Sequence, residues 1–326
     1  MVLSEFELIR LFSSESSLSR SDVVLGIGDD AALLSVPGGM ELVVSMDTLV
    51  DGVHFPESTD PFSIGVKSLA VNLSDMAAMG AEPAWATLSL TLPEADSEWM
   101  QEFCRGLFSL ANYFGVQLIG GDTTRGPLSV TVQMHGFVPA GQALRRNAAR
   151  VGDLVYVTGT LGDAGLALRL LGNEQNDKDR NYLIDRLARP SPRIATGLML
   201  RSAANAAIDI SDGLLADLQH ICQASGVGAA INVDALPLST AFKSVITVCD
   251  VIEPFSFPLS AGDDYELCFT VSPENVPKLN QIDDVAMTCI GKIEDEPGLR
   301  CFIKGEKFMP NKKGFDHFSE RACSDD

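Results

Sequence analysis

Pro61-Phe-Ser-Ile-Gly-Val-Lys-Ser-Leu-Ala-Val-Asn-Leu-Ser-Asp-Met-Ala-Ala-Met79, followed after Gly80-Ala-Glu-Pro-Ala84 by Trp85-Ala-Thr-Leu-Ser-Leu-Thr-Leu92, decides the fold class. The first part has a helical period: Val66, Leu69, Ala70, Leu73 and Ala77 share one face, and Ser68, Asn72 and Asp75 form the opposite stripe. Gly80 and Pro83 stop this helix. The second part alternates small or polar with apolar residues, as a half-buried antiparallel strand does. Working outward, residues 4–13 read as a short amphipathic helix and 42–47 as a strand ending in its acid. Helical spacing returns over 97–114, 116–119 is a short buried strand, and 129–137 alternates again. The first half is therefore α+β.

Apolar periodicity lapses over 140–152, which makes this the linker. A chain of 326 residues exceeds one typical core. Two domains are expected, 1–148 and 149–318, with the polar tail 319–326 read as disordered. The second half opens with a strand over 154–158, the turn Gly159-Thr-Leu-Gly-Asp-Ala-Gly165 and a helix over 166–171. Strands at 206–210, 229–233 and 267–271 alternate with helices, and 173–181 reads as a solvated loop. The GxxGxxG spacing of residues 159, 162 and 165 is that of a tight turn, not of a dinucleotide fingerprint.

The formal charge is −20, from 24 basic and 44 acidic residues, which repels nucleic acid and anionic membrane surfaces alike. An anionic substrate meets the same repulsion unless bound cations invert the local sign. Seven cysteines without a CxxC pair read as reduced core residues, and no run of 18 apolar residues is present. The expectation is a cytoplasmic protein. No GxxxxGK[ST] loop, zinc spacing or GxSxG elbow occurs.

Acids recur at the edges of glycine-rich or apolar segments: Gly28-Asp-Asp30, Ser45-Met-Asp47, Asn72-Leu-Ser-Asp75, Gly120-Gly-Asp122, Asp209-Ile-Ser-Asp212 and Gly262-Asp-Asp264. A buried carboxylate costs several kcal/mol unless paired or bound to metal, and hardly any Lys or Arg adjoins these acids. Hard divalent cations take oxygen ligands and share them with substrate phosphates. Asp47 and Asp122 follow short apolar runs, where ligands collect beyond strand ends. Capping and turn chemistry explain any one such Asp equally well, but six clusters in apolar surroundings exceed what capping requires. Asp75 is either a ligand or an ordinary residue on a solvated helix face. Ser211 and Asp212 precede a helix whose N–H groups can accept a phosphate, or they only cap it. Arg146 is a phosphate cation or part of a solvated basic turn with Arg145 and Arg150. His54 is a contact for an anionic substrate; His135, His220 and His317 read as structural or exposed.

These residues also carry a resemblance. Gly26-Ile-Gly-Asp-Asp-Ala-Ala-Leu33, Asp47-Thr-Leu-Val-Asp-Gly-Val-His-Phe55, Lys67 to Pro83, Leu118-Ile-Gly-Gly-Asp-Thr-Thr-Arg-Gly126, Ile208-Asp-Ile-Ser-Asp-Gly-Leu214, Asp263-Asp-Tyr-Glu-Leu267 and Lys313-Gly-Phe-Asp-His-Phe318 span almost the whole chain. In this order they resemble the thiamine-monophosphate kinase family, which makes thiamine diphosphate from thiamine monophosphate and ATP. The resemblance implies the fold shared with aminoimidazole ribonucleotide synthetase and selenophosphate synthetase. That fold has an N-terminal mixed-sheet, half-barrel domain binding ATP and Mg²⁺ and forming a homodimer, and a C-terminal α/β domain. By the same resemblance Asp30, Ser45, Met46, Asp47, Asp75, Asp122, Asp209 and Asp212 hold several Mg²⁺ ions, with a monovalent cation as a further candidate. Gly121, Asp122, Arg146 and Ser211 contact ATP, and His54 and Asp263 contact the substrate. The family often has Glu-Asp where Asp263-Asp264 stands here, giving a shorter reach. It often has an aromatic residue ahead of the terminal Gly-Phe, where Asn311-Lys-Lys stands, which leaves Phe315 as the stacking candidate.

The implied chemistry is direct in-line transfer to an acceptor already ionised near neutral pH, so that no acid/base residue is needed. The alternatives are a synthetase of the same fold, acting on aminoimidazole precursors or selenide, and a non-catalytic Mg-nucleotide-binding protein. A selenide enzyme would favour a reactive Cys or Lys near the first glycine loop, where Leu25-Gly-Ile-Gly-Asp-Asp offers neither.

Overall fold

The computed structural model of the chain describes residues 7, 10–12, 18–172, 177–248, 253–311, 314 and 315. In chain order the first half comprises β1 (Val23–Leu25), β2 (Leu33–Leu34), β3 (Met40–Val50), α1 (Pro61–Ala78), β4 (Glu82–Leu92), α2 (Ser97–Tyr113), β5 (Gln117–Arg125) and β6 (Ser129–Pro139). Asp60 caps α1 by accepting from the Ser63 amide at 2.9 Å, and Pro61 opens its first turn, where a missing N–H costs nothing.

Helix α1 is the central element. It packs on α2, β3 and β6 of its own half and on α5 (Ile194–Leu200) and β8 (Ala206–Asp209) of the second. The stripe read as polar lies toward its own half, where Asp75 accepts from the Ser45 hydroxyl of β3, and α5 approaches at Ala77. Ser68 and Asn72 are fully buried, and Asp75 is half-buried, so a solvated face is not the setting of Asp75. The α1–α2 crossing is tight: a Cβ on Gly65 would lie 2.2 Å from the Phe103 carbonyl oxygen. Only glycine admits that approach.

The first sheet has the order β3-β6-β4-β5. Strand β6 pairs antiparallel with β3 and β4, whereas β4 pairs parallel with β5. The strand read from alternation as antiparallel is therefore mixed. Strands β3 and β5 also run past their acids, which places Asp47 and Asp122 inside strands and not beyond their ends.

The second half continues with a 3₁₀ turn (Arg146–Ala148), β7 (Leu154–Thr158), α3 (Asp163–Leu170), α4 (Lys178–Ala188), α5, β8, α6 (Leu214–Ser225), β9 (Gly228–Asn232), a second 3₁₀ turn (Val233–Ala235), α7 (Thr240–Val248), α8 (Ser256–Ser260), β10 (Leu267–Val271), a third (Pro273–Asn275), α9 (Val276–Leu279), β11 (Met287–Glu294), β12 (Gly298–Ile303) and β13 (Glu306–Phe308). Its seven-stranded sheet has the order β13-β12-β9-β11-β7-β10-β8, antiparallel except where β9 meets β12. The loop read over 173–181 is shorter than expected: Asp177 accepts from the amides of Asp179 and Arg180 and starts α4. Residues 173–176, the tail 319–326, Cys249, Cys323, His317 and most of the helix read over 4–13 lie outside the described residues.

The hydrophobic core does not respect the division of the chain. Leu73 and Met76 of α1 belong to one cluster with Leu267 and Phe269 of β10, while Val155, Ile208, Leu218 and Ile231 form a second core within the C-terminal half. The two halves thus share a wall, and the acids line it.

Candidate functional site

A cavity of about 440 Å³ opens where β3, α1 and the ends of β8 and β10 meet. Met46, Asp47, His54, Asp75, Asp209, Ser211, Asp212, Asp263 and Phe315 all line it, together with Tyr265. Alternation along β3 sends Ser45 and Asp47 toward α1, where the Ser45 hydroxyl donates to Asp75. Met46 points the opposite way and is 63% exposed. A hard cation would take its main-chain oxygen and not its thioether.

Burial, then the charge of Asp75 and a hydrogen bond with it, and then Asp212, push the Asp47 carboxyl up to about 7. Burial raises Asp75 as well, against the Ser45 hydroxyl and the Arg146 guanidinium, which hold it down. Asp209, at the last position of β8, is raised by burial and by the charges of Asp75 and Asp217. Acids raised by burial, and in Asp47 and Asp209 also by the charge of Asp75, are short of positive charge. An all-oxygen donor set of this kind fits a hard divalent cation that completes its shell with substrate oxygens. Among the described residues no three His, Cys, Asp or Glu side chains are by themselves grouped closely enough to hold a metal ion.

The turn after β8 corrects one expectation. The amides of Ser211, Asp212 and Gly213, in a turn read either as open to a phosphate or as an N-cap made by Ser211 or Asp212, all donate to Asp217 Oδ2 at 3.1 Å. Asp217 instead shapes the turn that presents Ser211 and Asp212. Its own carboxyl is pushed to about 7 by burial and then by Asp212. The facing segment is held by main-chain bonds from Asp263 N to Ser211 O (2.9 Å) and from Tyr265 N to Ile210 O (2.8 Å). A Cβ on Gly262 would lie 2.3 Å from the Ser211 carbonyl, so the two segments touch through glycine. Asp263 and Tyr265 adopt φ of 69° and 49°, a left-handed backbone that side chains seldom take without a compensating function. Beneath them, Glu266 is buried against Arg186 at 2.9 Å and accepts from the Thr158 hydroxyl at 2.6 Å.

His54 Nδ1 accepts from the Val50 amide at 2.9 Å, so the neutral ring carries its proton on Nε2. Phe315 is tied to the site by its own amide, which donates to the Asp212 carbonyl at 3.0 Å. Arg146 lies in the 3₁₀ turn and reaches the site as a charge acting on Asp75.

Asp30, Gly121 and Asp122 line a different cavity, of about 810 Å³, with Gly26–Ala32 on one side and Gly120–Thr123 of β5 on the other. One ladder of the sheet runs from Asp47 through Val132 and Leu88 to Gly121. Asp47 and Gly121 therefore stand three strand spacings apart, roughly 14 Å in a flat sheet. The residues assigned to metal and ATP fall into two groups, at opposite edges of the sheet.

Sequence reading missed Lys67, Tyr265 and Asp217. A lone Lys among Val66, Leu69 and Ala70 was a usable signal for a buried, partnered cation. Nothing local marks the other two, because Asp217 acts through a turn and Tyr265 through a tertiary fold-back.

Taken together, the architecture and the acidic wall define an AIR synthase related protein. The model of the N-terminal domain of that family matches residues 28–138 and that of its C-terminal domain residues 150–304. The thiamine-monophosphate kinase of Salmonella typhimurium is 50% identical over 98% of this chain and 99% of its own length. The crystal structure of thiamine-monophosphate kinase from Stenotrophomonas maltophilia superposes with a TM-score of 0.85 at 48% identity, covering 94% of this chain and 99% of that one. AaThiL complexed with AMPPCP and TMP superposes with a TM-score of 0.78 at 36% identity, covering 97% of each. The chain belongs to the thiamine-monophosphate kinase family.

Proposed function

We propose that the protein transfers the γ-phosphoryl group of ATP to thiamine monophosphate, giving thiamine diphosphate and ADP. The carrying observation is the single cavity in which the carboxylates Asp47, Asp75, Asp209 and Asp212 face His54 and Asp263. A full-length relative that is a thiamine-monophosphate kinase, and a solved relative holding both an ATP analogue and TMP, support the substrate assignment.

A phosphate monoester with its second pKa near 6 is already a nucleophile at neutral pH. The residues therefore need only to place two anions in line and offset their repulsion. Asp30, Ser45, Asp47, Asp75, Asp122, Asp209, Asp212 and the Met46 carbonyl would hold Mg²⁺, a monovalent cation being a further candidate. When bound, Mg²⁺ supplies the positive charge that the phosphate oxygens of both reactants require. Arg146 and Ser211, with Gly121 and Asp122, hold the ATP end. His54 Nε2 donates to the acceptor phosphate, Asp263 holds the thiamine moiety, and Phe315 stacks on it.

The division between nucleotide-binding and C-terminal domains falls at 148/149, and the protein works in the cytoplasm, where ATP is supplied. Among the described residues no helix is long and apolar enough to cross a membrane. The working unit is a homodimer formed through the first sheet, which brings the Asp122 edge of one copy to the Asp47 edge of the other. Incubation of the pure protein with Mg-ATP and thiamine monophosphate is expected to form thiamine diphosphate and ADP in equal amounts. ADP formed without thiamine diphosphate overturns the assignment.

A further inference from the structure

Lys67 is buried in α1 at 2% exposure, although a buried ammonium ion is costly unless its charge and its donors are met. Both are met at the edge of the acidic cavity. Its Nζ donates to the His54 carbonyl oxygen at 2.9 Å and pairs with Asp263 Oδ1 at 3.1 Å. The two partners come from different halves of the chain, His54 from the segment after β3 and Asp263 from the strained turn before β10. Helix α1, clamped between the halves, supplies the group that joins them.

The two contacts act on different parts of their residues. At His54 the ammonium holds the main chain, while the ring is separately oriented by the Val50 amide. At Asp263 the main chain is held by Ser211, and the ammonium holds the carboxylate. That carboxylate shares its cavity with Asp47, Asp75, Asp209 and Asp212. Without a cation beside it, Asp263 would be driven from the acidic wall toward solvent.

We propose that Lys67 is the positioning residue of the acceptor-substrate end of the site, fixing the separation of His54 and Asp263 and keeping the Asp263 carboxylate inside the cavity. The proposal rests on the substrate assignment made above, in which the ligand of this end is a phosphate monoester carrying a cationic heteroaromatic ring. Lys67 touches neither reactant. Its loss changes acceptor binding and leaves the ATP end, built around Arg146, Ser211 and the metal carboxylates, as it was.

The test is steady-state kinetics on the full chain for wild type, Lys67→Met, Lys67→Arg, Asp263→Asn and the Lys67→Met/Asp263→Asn pair. Lys67→Met, isosteric in its stem and uncharged, is expected to raise the KM for thiamine monophosphate by about tenfold with the KM for ATP within about twofold. Lys67→Arg is expected to recover part of that loss. The double variant is expected to be no worse than the worse single variant, because both changes break one contact. Equal rises in both KM values, a fall in kcat alone, or multiplying effects in the double variant overturn the proposal. If Lys67→Met does not fold, Lys67→Arg carries the test. A KM for thiamine monophosphate raised more than about threefold, with that for ATP unchanged, supports the proposal, and no such split overturns it. A wild-type protein that forms no thiamine diphosphate overturns the substrate assignment instead, and this proposal falls with it.

Discussion

Asp47 projects from the middle of β3 into contact with Asp75, and its carboxyl is pushed up to about 7 because burial and that neighbour disfavour its charge. A folded-state value above the ordinary 3.8 means that ionisation opposes folding. In metal-free protein the stabilising protonated form is complete at low pH and is lost as pH rises through about 7. Asp47→Asn keeps the shape and removes the charge. It is expected to lower kcat by about two orders of magnitude, the scale of a lost metal-assisted step. The melting temperature of the metal-free protein at pH 8 should hold or rise. A variant that loses stability in step with activity, or keeps its activity at ordinary Mg²⁺, overturns the role given to Asp47. Such acids were legible because carboxylates beside apolar segments need an explanation. Lys67 was less so, since its reason to be buried is a carboxylate almost two hundred residues downstream in the chain.

Helix α1 and strand β4 were readable from their periods, since both bury an apolar face in the core that the two halves share. The polar stripe of α1 is buried because β3 lies against it, with the Ser45 hydroxyl on Asp75; a local pattern records only which side is apolar, not what arrives on the other. Strands β3 and β5 were cut short at their acids for a similar reason. Both are edge strands whose polar residues face a ligand wall or open space, where alternation is no guide to burial. Strand β6, between β3 and β4, carries His135 opposite Trp85 with ring centroids 6.3 Å apart. Burial holds this imidazole below its ordinary 6.5. A depressed folded value gives stability that is present above 6.5 and is lost as pH falls through the lower folded value. Thermal unfolding of wild type and His135→Phe at pH 7.5 and 5.5 should show wild type losing more on acidification than the variant. An equal loss in both removes His135 from the account of acid sensitivity.

At the scale of the molecule, the question is how one chain with a charge of −20 completes a site whose assigned ligands stand at opposite edges of a sheet. Strand β3 offers the answer on its outer side. Leu42 is 44% exposed, Val44 49% and Met46 more, a row of apolar side chains on an eleven-residue edge strand, which isolated proteins seldom leave open. Covering that row with the same sheet of a second copy would bury it and carry the partner's β5 edge, with its glycine-acid cavity, toward Asp47 and Asp75. The seam would also be low in charge, which two strongly acidic chains need in order to associate. Val44→Glu puts a carboxylate in the middle of this row, on the side away from Ser45 and Asp47, so it leaves the site of its own chain intact. Sedimentation equilibrium should give twice 34.9 kDa for the wild type and 34.9 kDa for the variant. The variant should keep its far-ultraviolet dichroism and lose nearly all kinase activity, because each site is then left with one of its two edges. A monomeric variant with full activity would show that one chain suffices, and Asp30 and Asp122 would have to reach Asp47 by a rearrangement within it.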